Sequence, residues 1–148
     1  MSEKITVGIL RENDTLENRV SLVPKDVKLL IQMGLSVELE DGAGEKAGFL
    51  NSQYEDAGAK VSMKLSNGTN IVTSVNAFST KDNKYIKDSL VISTTNVRTD
   101  NKVTEICKKN NLSLLAMEFV PRIARAQKLD SLSSQASIAG YKAGLIVA

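Results

Sequence analysis

The stretch KITVGILRENDTLENRVSLVPKDVKLLIQMGLSVELE, residues Lys4–Glu40, sets the fold that this sequence predicts. Its opening segment, KITVGIL, is β-branched and apolar and is followed by charged residues, which is typical of a buried strand. The segment PKDVKLLIQMG starts with a proline suited to the first turn of a helix and ends at Gly34, a residue suited to closing one. LSVELE then alternates apolar and polar side chains. The stretch therefore predicts a strand, a helix and a second strand in succession.

Strands and helices continue to alternate after residue 40. The further predicted strands are Lys60–Met63, Ile71–Val75, Leu90–Thr94 and Leu112–Val120. The further predicted helices are SQYEDAGA, a short helix within STKDNKYIKD, Thr99–Asn111 and Ser131–Ala148. Such alternation favours an open, mostly parallel sheet with right-handed crossovers and helices on both faces. We predict an α/β three-layer sandwich in which residues 1–148 form a single domain.

The composition excludes several kinds of function. Hydrophobic residues make up 42% of the 148 positions, which is enough for one domain with a core. The 19 Lys and Arg residues nearly balance the 17 Asp and Glu residues, which argues against nucleic acid as a partner. The absence of histidine removes the commonest metal ligand and the usual general base. With Cys107 as the lone cysteine and no long apolar run, we predict no metal, no disulfide, a reducing compartment and no membrane-spanning helix.

The segment Gly42–Ala47, GAGEKA, formally matches a dinucleotide-binding loop, because it follows a predicted strand. Such a loop lets the backbone approach a pyrophosphate at a helix N-terminus. The fingerprint also requires an acidic residue about 20 positions further on, and Val61–Lys64 contains none. Glu45 and Lys46 moreover place charged side chains in the loop. A plain glycine-rich turn is therefore the favoured interpretation.

Polar side chains concentrate in MEFVPRIARAQKLDSLSSQASIAGYK, residues 117–142. Arg122 follows a strand end and a proline, so we expect it in the crevice at the carboxyl edge of the sheet, where ligands bind in open α/β folds. Gln127, Asp130 and Ser133 add an amide, a carboxylate and a hydroxyl. Together these groups can hold an amide and fix its plane, since an amide needs both donors and acceptors. The alternative is a capping region, in which Asp130 or the serine after it begins a helix and the arginines are solvated.

Two segments carry a resemblance to a known family. They are RENDTLENRVSLVPKDVKLLIQMGLSVELEDGAGEKAGF, which begins at Arg11, and MEFVPRIARAQKLDSLSSQASIAGYKA, which begins at Met117. Over its whole length the chain resembles the N-terminal domain of the alanine dehydrogenase and NAD(P) transhydrogenase family, and it looks most similar to the transhydrogenase alpha subunit, domain I. The resemblance implies a flavodoxin-like, Rossmann-like fold. It also implies that the glycine turn is not the cofactor fingerprint.

The resemblance further implies an oxidoreductase component that helps to bind NAD(H) and to orient its nicotinamide for hydride transfer to NADP(H) on a partner domain. Arg122, Gln127, Asp130 and Ser133 stand where the family contacts the nicotinamide and the ribose, and no residue is expected to be catalytic in itself. In the family the cofactor is shared with a following Rossmann NAD-binding domain, which is absent from this chain.

The resemblance also implies an assembly larger than this chain. The expected partners are the Rossmann domain, the other transhydrogenase domains or subunits, and a second copy in a homodimer. The family couples hydride transfer to proton translocation through conformational change elsewhere in the complex. We therefore expect the chain on the cytoplasmic, or matrix-equivalent, side of the inner membrane, as a peripheral component that meets the membrane only through the complex.

Two departures from the alanine dehydrogenases favour the transhydrogenase. Ser74 stands where those enzymes have a substrate-binding lysine, and Ser93, Thr94 and Thr95 stand where they use a histidine. Amino-acid oxidation needs an acid or base near the reacting carbon, whereas direct hydride transfer between nicotinamides does not. Two alternatives stay open: a fragment of an alanine-dehydrogenase-like NAD oxidoreductase, and a non-catalytic structural or assembly domain. We expect the isolated chain to be inactive.

Overall fold

The computed structural model describes residues 4–76, 86–95 and 101–147. The strands are β1 (Thr6–Ile9), β2 (Ser36–Glu40), β3 (Lys60–Ser62), β4 (Ile71–Thr73), β5 (Leu90–Ser93) and β6 (Ser113–Ala116). The α-helices are α1 (Pro24–Gln32), α2 (Asn51–Asp56), α3 (Lys102–Lys109) and α4 (Ser131–Val147). The described residues also form 3-10 helices at Glu45–Ala47, Met117–Phe119 and Ala124–Leu129.

The six strands form one parallel sheet in the order β3-β2-β1-β4-β5-β6. β1 lies inside the sheet, so that Val7 is in register with Val37 of β2 on one side and with Ile71 of β4 on the other. The strand order therefore reverses between β1 and β4. Such a reversal leaves a crevice at the carboxyl edge of a parallel sheet. The predicted fold class, an open parallel α/β sheet with helices on both faces, is confirmed.

The predicted strand, helix and strand of the opening stretch are confirmed as β1, α1 and β2. Pro24 occupies the first turn of α1, where a missing N–H sacrifices no helical hydrogen bond. The Asp26 carboxylate accepts a hydrogen bond of 3.2 Å from the N–H of Val23, just before the helix. Gly34 ends the turn after the helix with a φ of 91°, which glycine adopts without steric cost. Both helix ends therefore form for the reasons visible in the sequence.

Two clusters of buried side chains hold the helices against the sheet. The first joins β1 and β2 to α1 and α2, and consists of Val7, Ile9, Val27, Val37, Leu39, Ala43, Tyr54 and Ala59. The second lies on β4, β5 and α3, and consists of Leu10, Leu65, Val72, Ile86 and Val91, with Ile106 packed against it. Full burial of each Val, Leu or Ile side chain in these clusters contributes about 1.5–3 kcal/mol to the stability of the fold. This packing fixes the positions of the strand ends from which the site is built.

Glu38 is a buried carboxylate in β2, with 2% of its surface exposed. It accepts hydrogen bonds from the Ser66 N–H and hydroxyl, both at 2.8 Å, and from the Ser62 hydroxyl at 3.0 Å, and Lys60 Nζ lies 3.4 Å away. Burial opposes ionisation, but these donors outweigh it and hold the pKa of Glu38 below its ordinary value. The side chain therefore ties β2 to β3 and to the loop that follows.

The long helix α4 lies on the surface of the domain. None of its described residues is buried, and Ile138, Tyr141 and Leu145 expose more than half of their surface. The helix predicted from Ser131 onward is thus confirmed over Ser131–Val147. Across the described ranges, no helix combines the length and the apolar character that crossing a membrane requires.

Several predicted strands end earlier in the structure, and the largest difference is at β6. The predicted strand Leu112–Val120 ends at Ala116, and the chain then turns through the 3-10 helix Met117–Phe119. The Glu118 carboxylate accepts hydrogen bonds from the Thr95 N–H at 3.2 Å and the Thr95 hydroxyl at 2.9 Å, so it is held against the end of β5. Most of the helix predicted within STKDNKYIKD lies outside the described residues.

Candidate functional site

A cavity of about 630 Å³ opens at the carboxyl edge of the sheet. Its walls come from the segment before α1, the ends of β4 and β5, the turn after β6 and the beginning of α4. The lining residues are 19–22, 73–76, 92, 94, 117, 118, 120, 122, 130–132 and 135. The cavity therefore lies beside the reversal of strand order, where the fold predicts a ligand.

The signature segment, residues 117–142, reaches the cavity through Arg122 and Asp130. The Arg122 side chain is exposed, and its charge helps to lower the pKa of Asp130. No described residue accepts a hydrogen bond from its guanidinium. Arg122 can therefore donate to a ligand without first breaking a described hydrogen bond.

Asp130 is mostly buried and caps α4. Its carboxylate accepts hydrogen bonds from the Ser133 hydroxyl at 2.5 Å and from the Leu132 N–H at 3.0 Å. The Ser133 hydroxyl is the main reason that the pKa of Asp130 lies below its ordinary value. The capping arrangement considered from the sequence is thus present, and it places an ionised carboxylate at the cavity.

Gln127 and Ser133 differ from Arg122 and Asp130 in their placement. Gln127 lies on the 3-10 helix Ala124–Leu129 and is not among the residues that line the cavity. Ser133 does not line the cavity either, but it binds Asp130 directly. Of the four side chains predicted to contact the cofactor, the structure therefore brings three together and leaves Gln127 apart.

Glu17 and Arg19 form an ion pair beside the cavity that the sequence did not single out as site residues. Arg19 donates from Nε to Glu17 Oε1 at 2.8 Å and from Nη2 to Glu17 Oε2 at 2.7 Å. Asn76 Nδ2 donates to the same Oε2 at 2.6 Å. Chiefly because of the Arg19 hydrogen bonds, the pKa of Glu17 falls to about 2. The pair is fixed at the end of β4, and its opposite charges offset each other.

The glycine turn, Gly42–Ala47, contacts the backbone next to this ion pair. It does not form an open loop that could hold a phosphate. Lys46 Nζ donates to the backbone oxygens of Asp14 at 3.0 Å and Glu17 at 3.4 Å. A Cβ added at Gly44 would stand 2.5 Å from the Tyr54 ring, so the turn is closely packed. The space beside it is about 10 Å³, which is too small for a phosphate. These contacts agree with the interpretation of Gly42–Ala47 as a plain turn.

Glu12 holds the backbone at the end of β4. Its Oε1 accepts a hydrogen bond of 2.6 Å from the Val75 N–H, and its Oε2 accepts one of 3.4 Å from the Asn76 N–H. Burial raises the pKa of Glu12, and these backbone donors oppose that rise only in part. The residues that form one wall of the cavity are therefore held in place by a carboxylate from the loop after β1.

Small hydroxyl side chains occupy positions 74 and 93, at the ends of β4 and β5. The Ser74 hydroxyl donates to Ser93 Oγ at 2.7 Å, and its oxygen also lies 3.1 Å from the Asn76 backbone oxygen. The fully buried Ser93 hydroxyl donates to that backbone oxygen. Neither position carries a side chain that can act as a base at neutral pH. Their hydroxyl groups serve to fix the loop after β4.

Arg19 and Gln135, which no local pattern marks as site residues, contact each other across a long distance in the chain. Arg19 Nη1 donates to Gln135 Oε1 at 3.0 Å, although the two residues are 116 positions apart. The segment RVSLVP, which begins at Arg19, and the polar residues around Gln135 are both visible in the sequence. Nothing in either local pattern indicates that they meet.

The reversed strand order and the cavity beside it define a doubly wound α/β domain with a ligand cleft at its carboxyl edge. Residues 8–139 match the family described as alanine dehydrogenase/PNT, N-terminal domain, and the chain belongs to this family. The resemblance found in the sequence is thereby confirmed.

Named relatives divide between two enzymes. The chain is 36% identical to NAD(P) transhydrogenase subunit alpha of Haemophilus influenzae, over 93% of this chain and 27% of the relative. It is also 36% identical to NAD(P) transhydrogenase subunit alpha of Cereibacter sphaeroides, over 93% of this chain and 27% of that relative. It is 30% identical to alanine dehydrogenase of Bacillus subtilis, over 95% of this chain and 37% of the relative.

Among solved structures, the transhydrogenase from Sinorhizobium meliloti superposes with a TM-score of 0.90 at 32% identity. That match covers 95% of this chain and 43% of the other. An L-alanine dehydrogenase superposes with a TM-score of 0.75 at 26% identity, over 82% of this chain and 34% of the other. The chain thus spans less than half the length of these proteins.

Proposed function

We propose that this chain is the N-terminal domain of an NAD(P) transhydrogenase alpha subunit, and that it helps to hold NAD(H) and to orient the nicotinamide. The observation that carries the proposal is the cavity at the carboxyl edge, where Arg122 and the capped Asp130 of the signature segment meet. The relatives named as transhydrogenase alpha subunits support it. So does the superposition on a transhydrogenase structure.

The side chains present suit a neutral carboxamide. Arg122 supplies donors for its carbonyl oxygen, and Asp130 supplies an acceptor for its N–H groups or for a ribose hydroxyl. Ser133 keeps the carboxylate ordered through its 2.5 Å hydrogen bond. Gln127 lies outside the cavity lining. If its side chain moved toward the cavity, its amide would add a further contact. The cavity volume of about 630 Å³ is ample for a nicotinamide and its ribose.

NAD(H), when bound, supplies the hydride, and this chain supplies orientation. Hydride transfer requires the reacting carbons to approach to about 3–3.5 Å, so a fixed ring plane is the contribution that these residues can make. We propose that NADP(H) lies on a partner domain and that a Rossmann domain shares the NAD(H) site. A homodimer, proton translocation elsewhere in the complex and a peripheral position at the inner membrane belong to the same proposal.

An alanine-dehydrogenase-like oxidoreductase is the second candidate, because alanine dehydrogenases are relatives at 30% identity. The hydroxyl groups of Ser74 and Ser93, which are hydrogen-bonded to each other, argue against this candidate, because neither can act as a base at neutral pH. An assay of alanine-dependent NAD⁺ reduction separates the two candidates. Turnover with alanine would favour the dehydrogenase. If this domain is purely structural, substitutions in its cavity would leave NADH binding by the natural gene product unchanged.

Substitution of Arg122 tests the proposed role of the signature segment. In the natural gene product that contains this chain, Arg122→Ala is expected to weaken NADH binding about tenfold, because a charge-assisted hydrogen bond is lost. Calorimetric titration with NADH provides the measurement. The matched control is Arg125→Ala, an exposed arginine of the neighbouring 3-10 helix that does not line the cavity. Equal losses in both variants, or a loss of folding with unchanged binding, would contradict the proposal.

A further inference from the structure

Gln135 lies near the beginning of α4 and lines the cavity. Its Oε1 accepts the hydrogen bond of 3.0 Å from Arg19 Nη1. A guanidinium carries only donors, so the amide oxygen must face Arg19 and the amide nitrogen must lie on the other side of the group. No described residue accepts a hydrogen bond from that nitrogen. Its N–H donors are therefore free for a molecule in the cavity.

The orientation of this amide is fixed by Arg19, which is itself held firmly. Both oxygens of the buried Glu17 carboxylate accept from Arg19, at 2.8 and 2.7 Å. The Arg19 backbone N–H and Asn76 Nδ2 also donate to Glu17, at 2.9 and 2.6 Å. If the Arg19 side chain turned away, the buried Glu17 carboxylate would keep the Asn76 hydrogen bond but lose the guanidinium that balances its charge, which is costly. Glu17 and Arg19 thus hold the Gln135 amide in one orientation before any ligand arrives.

We propose that Gln135 is a ligand-binding residue, whose amide nitrogen donates a hydrogen bond to the carbonyl oxygen of the nicotinamide carboxamide. Glu17 and Arg19 are positioning residues that present this donor. The inference rests on the proposed function and adds a residue to its site. The charges of Glu17 and Arg19 offset each other, so this wall of the cavity suits a neutral acceptor better than a carboxylate. Gln127, by contrast, lies outside the cavity lining.

The test compares ligands that differ at the carboxamide. NADH, its acetylpyridine analogue and its thionicotinamide analogue, all in the reduced form, are titrated by calorimetry into the natural gene product that contains this chain. The acetylpyridine analogue keeps the carbonyl oxygen, whereas the thionicotinamide analogue replaces it with sulfur, a weak acceptor. The reduced forms carry an uncharged ring, so a charge placed at position 135 does not attract it.

Gln135→Glu is the main variant, because glutamate keeps the size of the side chain and an oxygen for Arg19 but removes the N–H donors. We expect Kd to rise about 3- to 10-fold for NADH and the acetylpyridine analogue. For the thionicotinamide analogue we expect Kd to rise by less than about 2-fold, because its sulfur accepts only a weak hydrogen bond from Gln135 in the wild-type protein. Gln135→Met should give the same pattern if the glutamate variant folds poorly.

Two results would overturn the inference and leave the proposed function intact. One is an unchanged Kd for NADH, or an equal loss for all three ligands, in the Gln135 variants. The other is an oxygen-dependent loss in Gln127→Glu and not in Gln135→Glu, which would assign the carbonyl contact to Gln127. A wild-type protein that binds none of the three ligands would overturn the proposed function, and the inference with it.

The positioning role of Arg19 has a readout of its own. Arg19→Lys keeps a positive charge for Glu17 but loses the planar fork that reaches Gln135. Its loss of NADH affinity should match that of Gln135→Glu, and the double variant should be less than about 2-fold weaker than either single variant, since both changes remove one contact. Fully additive losses would show that Arg19 acts without Gln135 and would overturn this aspect of the proposal.

Discussion

At the residue scale, Glu17 holds two parts of the site together, although it lies in a polar loop. Only 7% of its surface is exposed, and it accepts hydrogen bonds from Arg19 and Asn76. These donors hold its pKa at about 2, well below that of a free glutamate. The side chain is therefore ionised in the folded protein and links the loop after β1 to the end of β4.

A pH titration of stability tests this role. A carboxylate whose pKa is lower in the folded state stabilises the fold at neutral pH, and the stabilisation is lost as the pH falls from about 4 toward about 2. Glu17→Gln should lower the free energy of unfolding by roughly 1.5–3 kcal/mol at pH 7. The difference from wild type should shrink as the pH approaches 2.

The comparison with wild type is needed because other carboxylates titrate in the same range. Burial raises the pKa of Glu12, so its contribution has the opposite sign and favours folding at low pH. The lowered pKa values of Glu38 and Asp130 act in the same direction as that of Glu17. Urea unfolding of both proteins at several pH values isolates the contribution of Glu17. A difference that stays constant from pH 7 to about pH 2 would contradict this assignment.

At the element scale, α4 depends on its first turn, because none of its described side chains is buried. Asp130→Ala removes the acceptor for the Leu132 N–H and the Ser133 hydroxyl. Loss of such a cap destabilises the start of a helix, so amide exchange in the first turns of α4 should accelerate by roughly 2- to 30-fold. Hydrogen exchange followed by mass spectrometry measures the change.

The control for this variant is Ser134→Ala in the same turn. The Ser134 hydroxyl donates only to the backbone oxygens of Asp130 and Ser131, at 3.4 and 3.0 Å, so no helix N–H loses its acceptor. Exchange in α4 should stay near the wild-type rate. If the two variants behave alike, the carboxylate is not the group that starts the helix.

The elements that the sequence predicted well are those defined by local chemistry. Pro24 and Gly34 mark the ends of α1, and the apolar runs mark β1 and β2, because each acts on its own neighbours in the chain. The burial of Glu38 could not be predicted in this way. In LSVELE its place in the alternation predicts a solvent-facing residue, yet Ser62 and Ser66, from 24 and 28 positions away, supply the donors that allow its burial.

The site was predictable to a similar extent. The expected position of Arg122 at the carboxyl edge could be inferred because Arg122 follows the last strand of a parallel sheet, and such strand ends point toward one edge. Gln135 and Arg19 were visible as polar residues, but their contact depends on where α4 crosses the carboxyl edge. That crossing is a property of the assembled sheet, so no pattern within either segment could show it.

At the scale of the whole molecule, the chain covers 27% to 43% of the relatives described above. The beginning of α4 forms one wall of the cavity, and none of the described residues of this helix is buried against the sheet. Under the proposed function, this chain therefore holds one side of the nicotinamide and leaves the rest of the dinucleotide to a Rossmann domain.

The isolated chain 1–148 should accordingly bind NADH weakly or not at all. A half-site offers few of the contacts that offset the entropy lost when a ligand is immobilised. A fluorescence titration with NADH, followed to millimolar concentration, provides the measurement, and bovine serum albumin at equal mass concentration corrects for optical effects. Micromolar affinity, or hydride transfer by this chain alone, would show that the site is complete without a further domain.

The attachment of α4 at one end has a mechanical consequence. The helix has 17 residues, which at 1.5 Å per residue gives a rod about 25 Å long. It is held near its origin by the Asp130 cap and by the Gln135 contact with Arg19. A tilt of about 10° at this pivot would move the far end by about 4 Å. Under the proposed function, a small rearrangement around the nicotinamide would thus produce a larger displacement farther along α4.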